Sequence, residues 1–263
     1  MSNNKIIFSV FTKPWKDLSV PELGEFVARL GFQGIEFPVR PGYQVDPENV
    51  SKGLPKLVDR LAGFGVHVCS VAGPTDQATV AACAEAGVPT IRICVRIGDE
   101  GYMAAEARLR KEYDALVPLL DKYGVRIGIQ NHNGRDIANA MAIRHLIEDY
   151  DPRHFGIVWD AAHEALAGTE PELAIDIAWS HLCMVNLKNG FWQRINGPED
   201  ECAVWKTYWT RGRHGLASWP RVAAELKRRN YEGVICLTAE YSDPGAVNRL
   251  IAEDIAFAKS LFA

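Results

Sequence analysis

The sequence contains no CxxC pair. Its six cysteines, Cys69, Cys83, Cys94, Cys183, Cys202 and Cys236, lie far apart and several fall inside apolar stretches, which reads as buried reduced thiols and gives no sign of zinc. No basic excess is present: 29 Lys and Arg face 33 Asp and Glu, for a formal net charge of −4. That balance argues against nucleic acid as a partner, since a polyanion binder carries a basic stripe. Lys227, Arg228 and Arg229 form one local cluster, but they sit where a helix is expected to end and cations complement its dipole. No apolar run has membrane-spanning length, and residues 1–5 lead into a strand-like stretch without a signal-peptide core. The expected location is therefore cytoplasmic, with no membrane partner. A GxGxxG turn after the first strand, the dinucleotide fingerprint, is missing too.

What is there is alternation. Of 263 residues, 48% are hydrophobic and 24% charged, the composition of a globular chain whose length suits one large α/β domain or two small ones. Apolar runs predict strands at 5–11, 34–39, 66–72, 90–96, 126–132, 155–160, 183–188 and 233–240. Helical periodicity follows each, at 20–30, 48–64, 76–86, 102–123 with an interruption at Pro118, 136–150, 171–181, 219–229 and 247–262. Ser19 caps the first helix, Pro21 sits in its first turn and Gly31 closes it. Eight strand-then-helix units without a dividing linker predict a single α/β domain over 1–263, a (β/α)8 TIM barrel, with an open doubly wound sheet as the alternative. The connection at about 189–218 is long and rich in Trp and Gly, whereas such loops usually run to about 2–6 residues. It is expected to be functional, as long loops of this kind often are when they form lids.

In such a barrel, chemistry sits at the carboxyl ends of the strands, and side chains alternate inward and outward. The stretch from Phe155 to His163 shows this most plainly, because an apolar run stops abruptly at Asp160 with His163 three residues on. Gln130 and His132 share one face of strand five and Asn131 takes the other; Asn186 shares a face with Lys188, and Thr238 with Glu240. If these faces point inward, the mouth collects Gln130, His132, Asp160, Asn186, Lys188 and Glu240, with His163 just beyond the turn and Glu36 across the barrel. Two carboxylates in a partly buried site need a cation between them, which is either a divalent metal or Lys188. Oxygen donors suit manganese or magnesium better than zinc, and the neutral amides of Gln130 and Asn186 make such a metal site weak or absent.

Plainer readings stand beside these. Asp160 alone reads as a helix cap, His132 as a satisfied buried imidazole, Lys188 as a chain at the sheet edge, and Glu36 as a partner for Arg40 or Arg96. His67, His145, His154 and His181 read as structural. Trp192, Trp205, Tyr208 and Trp209 either tie the long loop down or offer faces to sugar rings. Arg211, Arg213 and His214 either bind a carboxylate or phosphate or are solvated.

Five motifs in strand order resemble the sugar isomerase/epimerase superfamily with the xylose isomerase-like barrel. They are Gly31-Phe-Gln-Gly-Ile-Glu36, Gln130-Asn-His132, Asp160-Ala-Ala-His163, Val185-Asn-Leu-Lys-Asn189 and Thr238-Ala-Glu240. The resemblance implies an isomerase or epimerase acting on a small sugar, sugar phosphate or polyol. It also implies a divalent metal held by the residues at Gln130, Asp160, Asn186 and Glu240. Two of these depart from the family pattern, Gln130 standing for a Glu and Asn186 for a His. The family's epimerases use two glutamates as opposed bases, and an amide takes up no proton at useful pH. A one-base scheme follows, in which Glu240 abstracts the proton and His132, His163 or Lys188 polarises the carbonyl. Glu36, Trp15, Arg96, Asn131 and Arg213 are expected substrate contacts. A lyase or dehydratase on a similar keto compound, and a carbohydrate-binding barrel without catalysis, remain alternatives that fold does not separate. A homo-oligomer is compatible with the sequence. AP-endonuclease chemistry, known on this scaffold, is disfavoured by the acidic balance and the missing histidines.

Overall fold

The computed structural model describes residues 6–263; Lys5 of the expected first strand, and the leader reading of residues 1–5, lie outside the described residues. Among the described residues, eight parallel strands close into a barrel. They are β1 (Ile6–Phe11), β2 (Gly34–Pro38), β3 (His67–Ala72), β4 (Thr90–Cys94), β5 (Arg126–Gln130), β6 (Phe155–Asp160), β7 (Leu182–Leu187) and β10 (Gly233–Leu237), which pairs back onto β1 with Phe8 opposite Ile235. Closure rules out the open doubly wound sheet. Between β7 and β10 the chain forms β8 (Asn189–Arg194) and β9 (Trp205–Thr210). Around the barrel lie α1 (Val20–Leu30), α2 (Val50–Ala62), α3 (Gln77–Glu85), α4 (Tyr102–Tyr123), α5 (Ala140–Ile147), α6 (Ala161–Leu166), α7 (Pro171–Ala178), α8 (Trp219–Arg228) and α9 (Val247–Phe262). None of the helices is long and apolar enough to cross a membrane, among the described residues.

The local reasons are visible in α1. The Ser19 hydroxyl accepts from the Glu22 N–H at 3.5 Å while the Glu22 carboxylate accepts from the Ser19 N–H at 2.8 Å, and Gly31 ends the helix at φ 83°. This reciprocal cap satisfies two orphan donors, and the left-handed stop is one glycine adopts without a Cβ clash. Along the strands, residues of one parity fill the barrel and those of the other meet the helices. Phe11, Ala72, Val158, Met184 and Cys236 form the inner cluster, while Ile35, Ile91, Ile157, Trp159 and Ile235 belong to the larger core that includes the helices. The thiols divide accordingly: Cys69, Cys83 and Cys236 are buried, but Cys94 and Cys202 are exposed, against the expectation of burial.

Three elements differ from expectation. First, α4 runs unbroken through Pro118, held by buried Tyr113 and Leu120 on its inner face. Second, α5 starts at Ala140 and not near Asp136. Residues 131–139 fold back on the strand-four connection, with Arg96 bridged to Asp136, the Ile137 N–H donating to the Val95 carbonyl at 3.0 Å, and Gly134 at φ 97° making the turn. Third, a short helix, α6, follows β6 directly, because Asp160 ends the strand and caps the helix at once.

The 189–218 connection is a β-hairpin and not an irregular loop, with β8 and β9 antiparallel from Asn189 opposite Thr210 to Arg194 opposite Trp205. Asn189, which is buried, sews its root. Its amide accepts from the Gly190 and Ala217 N–H groups and donates to the Gly212 and Ala217 carbonyls, all within 2.8–3.0 Å. A Cβ at Gly215 would lie 2.0 Å from the Asn189 Oδ1, so this approach needs glycine. The hairpin is also fastened across the barrel: Asn133 Nδ2 donates to Thr207 Oγ1 at 3.1 Å, Ser242 exchanges hydrogen bonds with the Trp209 backbone, and the Trp192 indole donates to the Leu166 carbonyl.

Behind the end of β6, Glu164 collects three donors on its Oε2: Ala140 N at 2.9 Å, Asn131 Nδ2 at 3.2 Å and the Trp159 indole at 3.2 Å. Asn131 in turn accepts from the Asp160 N–H at 2.7 Å and donates to the Asp160 carbonyl at 3.1 Å. This network fixes the backbone of Asp160 from outside the barrel.

Two outcomes follow. Asn189→Ala strands buried carbonyls and N–H groups and is expected to cost about 2–4 kcal/mol. Hydrogen exchange should rise first in 189–218, and unchanged exchange there would show that Asn189 does not hold the hairpin. Burial pushes the Glu164 carboxyl up to about 7, against the pull of its hydrogen bonds. A folded-state value above the unfolded one means that stability falls as pH rises from about 4.5 to 7, by an amount on the order of 3 kcal/mol. Glu164→Gln should remove that component, so urea midpoints at pH 5 and pH 7.5 should move closer together in the variant than in the parent.

Candidate active site

Just past the C-terminal end of β10, Glu240 lies between two ammonium groups. Lys188 Nζ is 2.7 Å from its Oε2 and Lys13 Nζ is 2.6 Å from its Oε1. Burial opposes the carboxylate charge, but Lys188 and Lys13 more than offset that and hold the group well below the usual carboxylate range. The Lys188 side chain is 4% exposed and its ammonium lies 3.7 Å from the centre of the Trp209 ring, supplied by the hairpin. Its backbone carbonyl takes the Trp219 indole N–H at 3.1 Å. Lys188 is thus fixed at both ends, while Lys13, with a side chain 44% exposed, is the looser partner.

One wall of the mouth carries the second carboxylate. Asp160 Oδ1 accepts from the Ala162 and His163 N–H groups at 3.0 and 3.1 Å, and Oδ2 accepts from Gln130 Nε2 at 2.9 Å. Asp160 is fully buried, and burial pushes its carboxyl up to about 6, with Lys188 and the His163 N–H pulling the other way. Asn186 pairs with it in register across β6 and β7, and no protein group uses either its Nδ2 or its Oδ1. His163 is enclosed, its ring 5.0 Å from Trp209 and 4.2 Å from His132. Its Nδ1 accepts from the Asn133 N–H at 3.1 Å, which leaves the proton on Nε2. Burial, then Lys188 and His132, drive its pKa well below the ordinary value, so the ring is neutral. His132 stands at the rim with its Nδ1 2.9 Å from Asp136 Oδ2, an arrangement that directs Nδ1–H to the acid and leaves Nε2 as the free nitrogen.

The opposite wall is a closed ion pair. Glu36 does not meet Arg40 or Arg96; it accepts from Arg92 Nε at 3.0 Å and Nη2 at 2.5 Å, and from the Ser70 hydroxyl at 3.0 Å. Burial works against the Arg92 charge, but Glu36 more than offsets it and raises its pKa further. Arg92 also lies over the Phe11 ring at 4.7 Å.

The structure therefore brings Gln130, Asp160, Asn186, Lys188, His163 and Glu240 to one end of the barrel, with Glu36 on the far side. Four expected contacts are placed otherwise. Trp15 is buried against Phe26, with its indole N–H given to Asn248 Oδ1 at 2.8 Å, so it packs between helices. Arg213 lies over Phe257 of α9 at 3.6 Å, on the outer face. Arg96 is exposed and engaged through its backbone bridge with Asp136. Asn131 is buried behind β6 as a structural tie. Three residues the sequence reading passed over are central: Lys13, Arg92 and Asp136. Arg92 had a signal, a lone charge in the apolar run Thr90-Ile-Arg-Ile-Cys94, which demands a buried counter-ion. Lys13 had none, since its pairing with Glu240 spans the whole chain.

The resemblance implies a divalent ion at this donor set. Both Glu240 oxygens are engaged by ammonium groups, both Asp160 oxygens by N–H donors, and Gln130 turns its amide nitrogen, not its oxygen, toward Asp160. Asn186 offers a donor nitrogen and an acceptor oxygen side by side, which matches a hydroxyl group better than an ion. No group of three or more His, Cys, Asp and Glu side chains suited to a metal occurs among the described residues. These residues do not fit a hard divalent cation.

Comparison with known proteins agrees with this architecture. A profile described as the xylose isomerase-like TIM barrel matches residues 25–261. No curated protein sequence matches the chain. Among solved structures, D-psicose 3-epimerase with D-tagatose from Clostridium cellulolyticum is similar with a TM-score of 0.72 at 13% identity, over 97% of this chain and 99% of that one. The 3-keto-D-glucoside 4-epimerase of E. coli is similar at 0.71 and 12%, over 97% and 100%. The probable 3-DHS dehydratase AsbF of Bacillus anthracis is similar at 0.72 and 12%, over 96% and 98%. At these identities the likeness concerns the fold, and the profile match over most of the sequence, on a closed eight-stranded parallel barrel, places the chain in the xylose isomerase-like TIM barrel family.

Proposed function

We propose that the protein is a sugar or polyol isomerase or epimerase that moves a proton beside a carbonyl group at the C-terminal mouth of the barrel. The observation that carries this reading is Glu240 held between Lys13 and Lys188, beside Asp160 and Asn186. A carboxylate bound by two ammonium groups is a weak base, because its charge is already neutralised. A ketose whose carbonyl and neighbouring hydroxyl oxygens take hydrogen bonds from those ammonium groups loosens their hold on Glu240. Substrate binding thereby makes the base stronger.

A Glu240 oxygen removes the proton from the carbon next to the carbonyl, and the electron pair moves onto the carbonyl oxygen, where Lys188 stabilises the enediolate charge. Return of the proton from Glu240 to the neighbouring carbon, with a shift of the hydroxyl proton, gives an isomer. Delivery of a proton to the other face of the original carbon from Nε2–H of a protonated His132, its charge balanced by Asp136, gives an epimer; His132 is left neutral and Glu240 protonated, and exchange with solvent resets both. Asn186 matches a substrate hydroxyl as both donor and acceptor. Glu36 and Arg92 form a rigid wall facing them. His163, neutral and enclosed beneath Trp209, supports the site and does not deliver a proton.

The likeness to two sugar epimerase structures supports this reading. A dehydratase is the second one, favoured by the half-exposed His132–Asp136 pair, which suits protonation of a departing hydroxyl, and by the likeness to AsbF.

The test is hydrogen exchange from D2O into a panel of ketoses and keto-polyols, followed by NMR. Exchange with retention of all hydroxyls supports the isomerase or epimerase, and loss of water from the substrate supports the dehydratase. Thermal stabilisation by a sugar without exchange would instead mark a carbohydrate-binding barrel. Glu240→Gln is expected to lower exchange by about 10²–10⁴-fold, and a variant that kept its rate would remove Glu240 from the mechanism. Lys188→Met should lower kcat by about 10²–10³-fold with a smaller effect on KM, since enediolate charge develops after binding.

A further inference from the structure

We propose that Lys188 and Lys13 take the place of a divalent cation at this mouth, so that the site is charge-balanced by ammonium groups and binds no manganese or magnesium. This rests on the proposed location of the active site but not on the reaction carried out there. A carboxylate pair in a barrel mouth needs positive charge, and here that charge is covalently part of the chain. Each oxygen of Glu240 has its own ammonium, at 2.6 and 2.7 Å. Lys188 has no route of withdrawal: its side chain is 4% exposed, its ammonium lies against the Trp209 face, and its carbonyl is tied to the Trp219 indole.

The other candidate ligands are altered in the same sense. Gln130 is neutral and spends its amide N–H on Asp160, which leaves its Oε1 directed to Cys94 Sγ at 3.8 Å and away from any shared centre. Asn186 presents a neutral amide. A doubly charged ion entering this cluster would meet repulsion from Lys188 at close range and would have to break the Lys–Glu contacts to reach the Glu240 carboxylate and the hydrogen bonds of Asp160 to reach the other. Gln130 lacks a carboxylate and Asn186 an imidazole, while the ammonium groups of Lys188 and Lys13 already occupy both oxygens of Glu240. Any one of them alone would weaken a metal site; together they substitute for it.

The experiment is a titration of the purified full-length protein with Mn²⁺, read as the free-ion EPR signal and as a Tm shift, with metal content measured beforehand. The expected result is no bound manganese or magnesium, no loss of free Mn²⁺ signal at stoichiometric protein and no Tm shift. Stoichiometric retention or uptake by the wild type would overturn the proposal. A triple variant, Lys188→Met with Gln130→Glu and Asn186→His, should show stoichiometric loss of the free signal and a raised Tm in Mn²⁺. If that variant is folded by circular dichroism and still takes up no ion, the ammonium is not what keeps the metal out and the proposal fails. Because neither readout uses a sugar, the result stands apart from the solvent-exchange assay. Exchange without metal supports both readings, metal binding with exchange overturns only this one, and a metal-free barrel with no exchange overturns only the proposed function.

Discussion

Everything at the mouth depends on neutralising buried negative charge. Glu36, Asp160 and Glu240 come from different strands and strand ends, and each is answered differently: by a guanidinium and a hydroxyl, by three N–H donors, and by two ammonium groups. A carboxylate left unanswered in such a place would be costly to ionise. The three solutions also differ in rigidity. The Glu36–Arg92 pair is buried, with two guanidinium nitrogens on one oxygen, whereas Glu240 keeps a 26% exposed side chain and one largely exposed partner, Lys13. A binding partner from solution therefore meets Glu240 first.

The second dependence is positional. Asp160 ends a strand and begins a helix, so the backbone geometry of β6 and the N-terminus of α6 converge on one residue. Asn131 and Glu164 hold it from the helical layer, on the side away from the cavity. Polar residues outside the barrel thus control the aim of residues inside it, much as outer ligands orient inner ones around an active group.

The barrel was legible because its signals are local and repeated. Eight apolar runs, each followed by a helical pattern and often a glycine stop, leave few other topologies; parity paired Asn186 with Lys188 and Thr238 with Glu240, and joined the two pairs at the mouth only on the condition that those faces point inward. Motif resemblance pointed to the same strand ends. What stayed illegible was pairing between distant parts of the chain. Lys13 reaches Glu240 across 227 positions, and nothing in Thr12-Lys-Pro14 announces a partner. Arg92 was readable as a buried charge but its counter-ion was not, since Arg40 and Arg96 lie closer to Glu36 or to the mouth by sequence reasoning. Trp15 and Arg213 were misplaced for a related reason: an aromatic or a guanidinium in a connection can turn toward the cavity or toward the helices, and the choice depends on packing partners such as Phe26 and Phe257. The hairpin was hidden because its strands alternate weakly and its root is set by one asparagine.

That hairpin bears on how the site is entered. A flap hinged at one end exchanges its contents at the pace of backbone closure, on the order of microseconds to milliseconds. Here the cover is tied at its root by Asn189, along one edge by Ser242 and at its side by Asn133 and Leu166. A strap fastened at so many points has each of those bonds to break before it can swing. What stays free to rearrange beside it are partly exposed side chains such as Lys13, whose rotation takes picoseconds to nanoseconds.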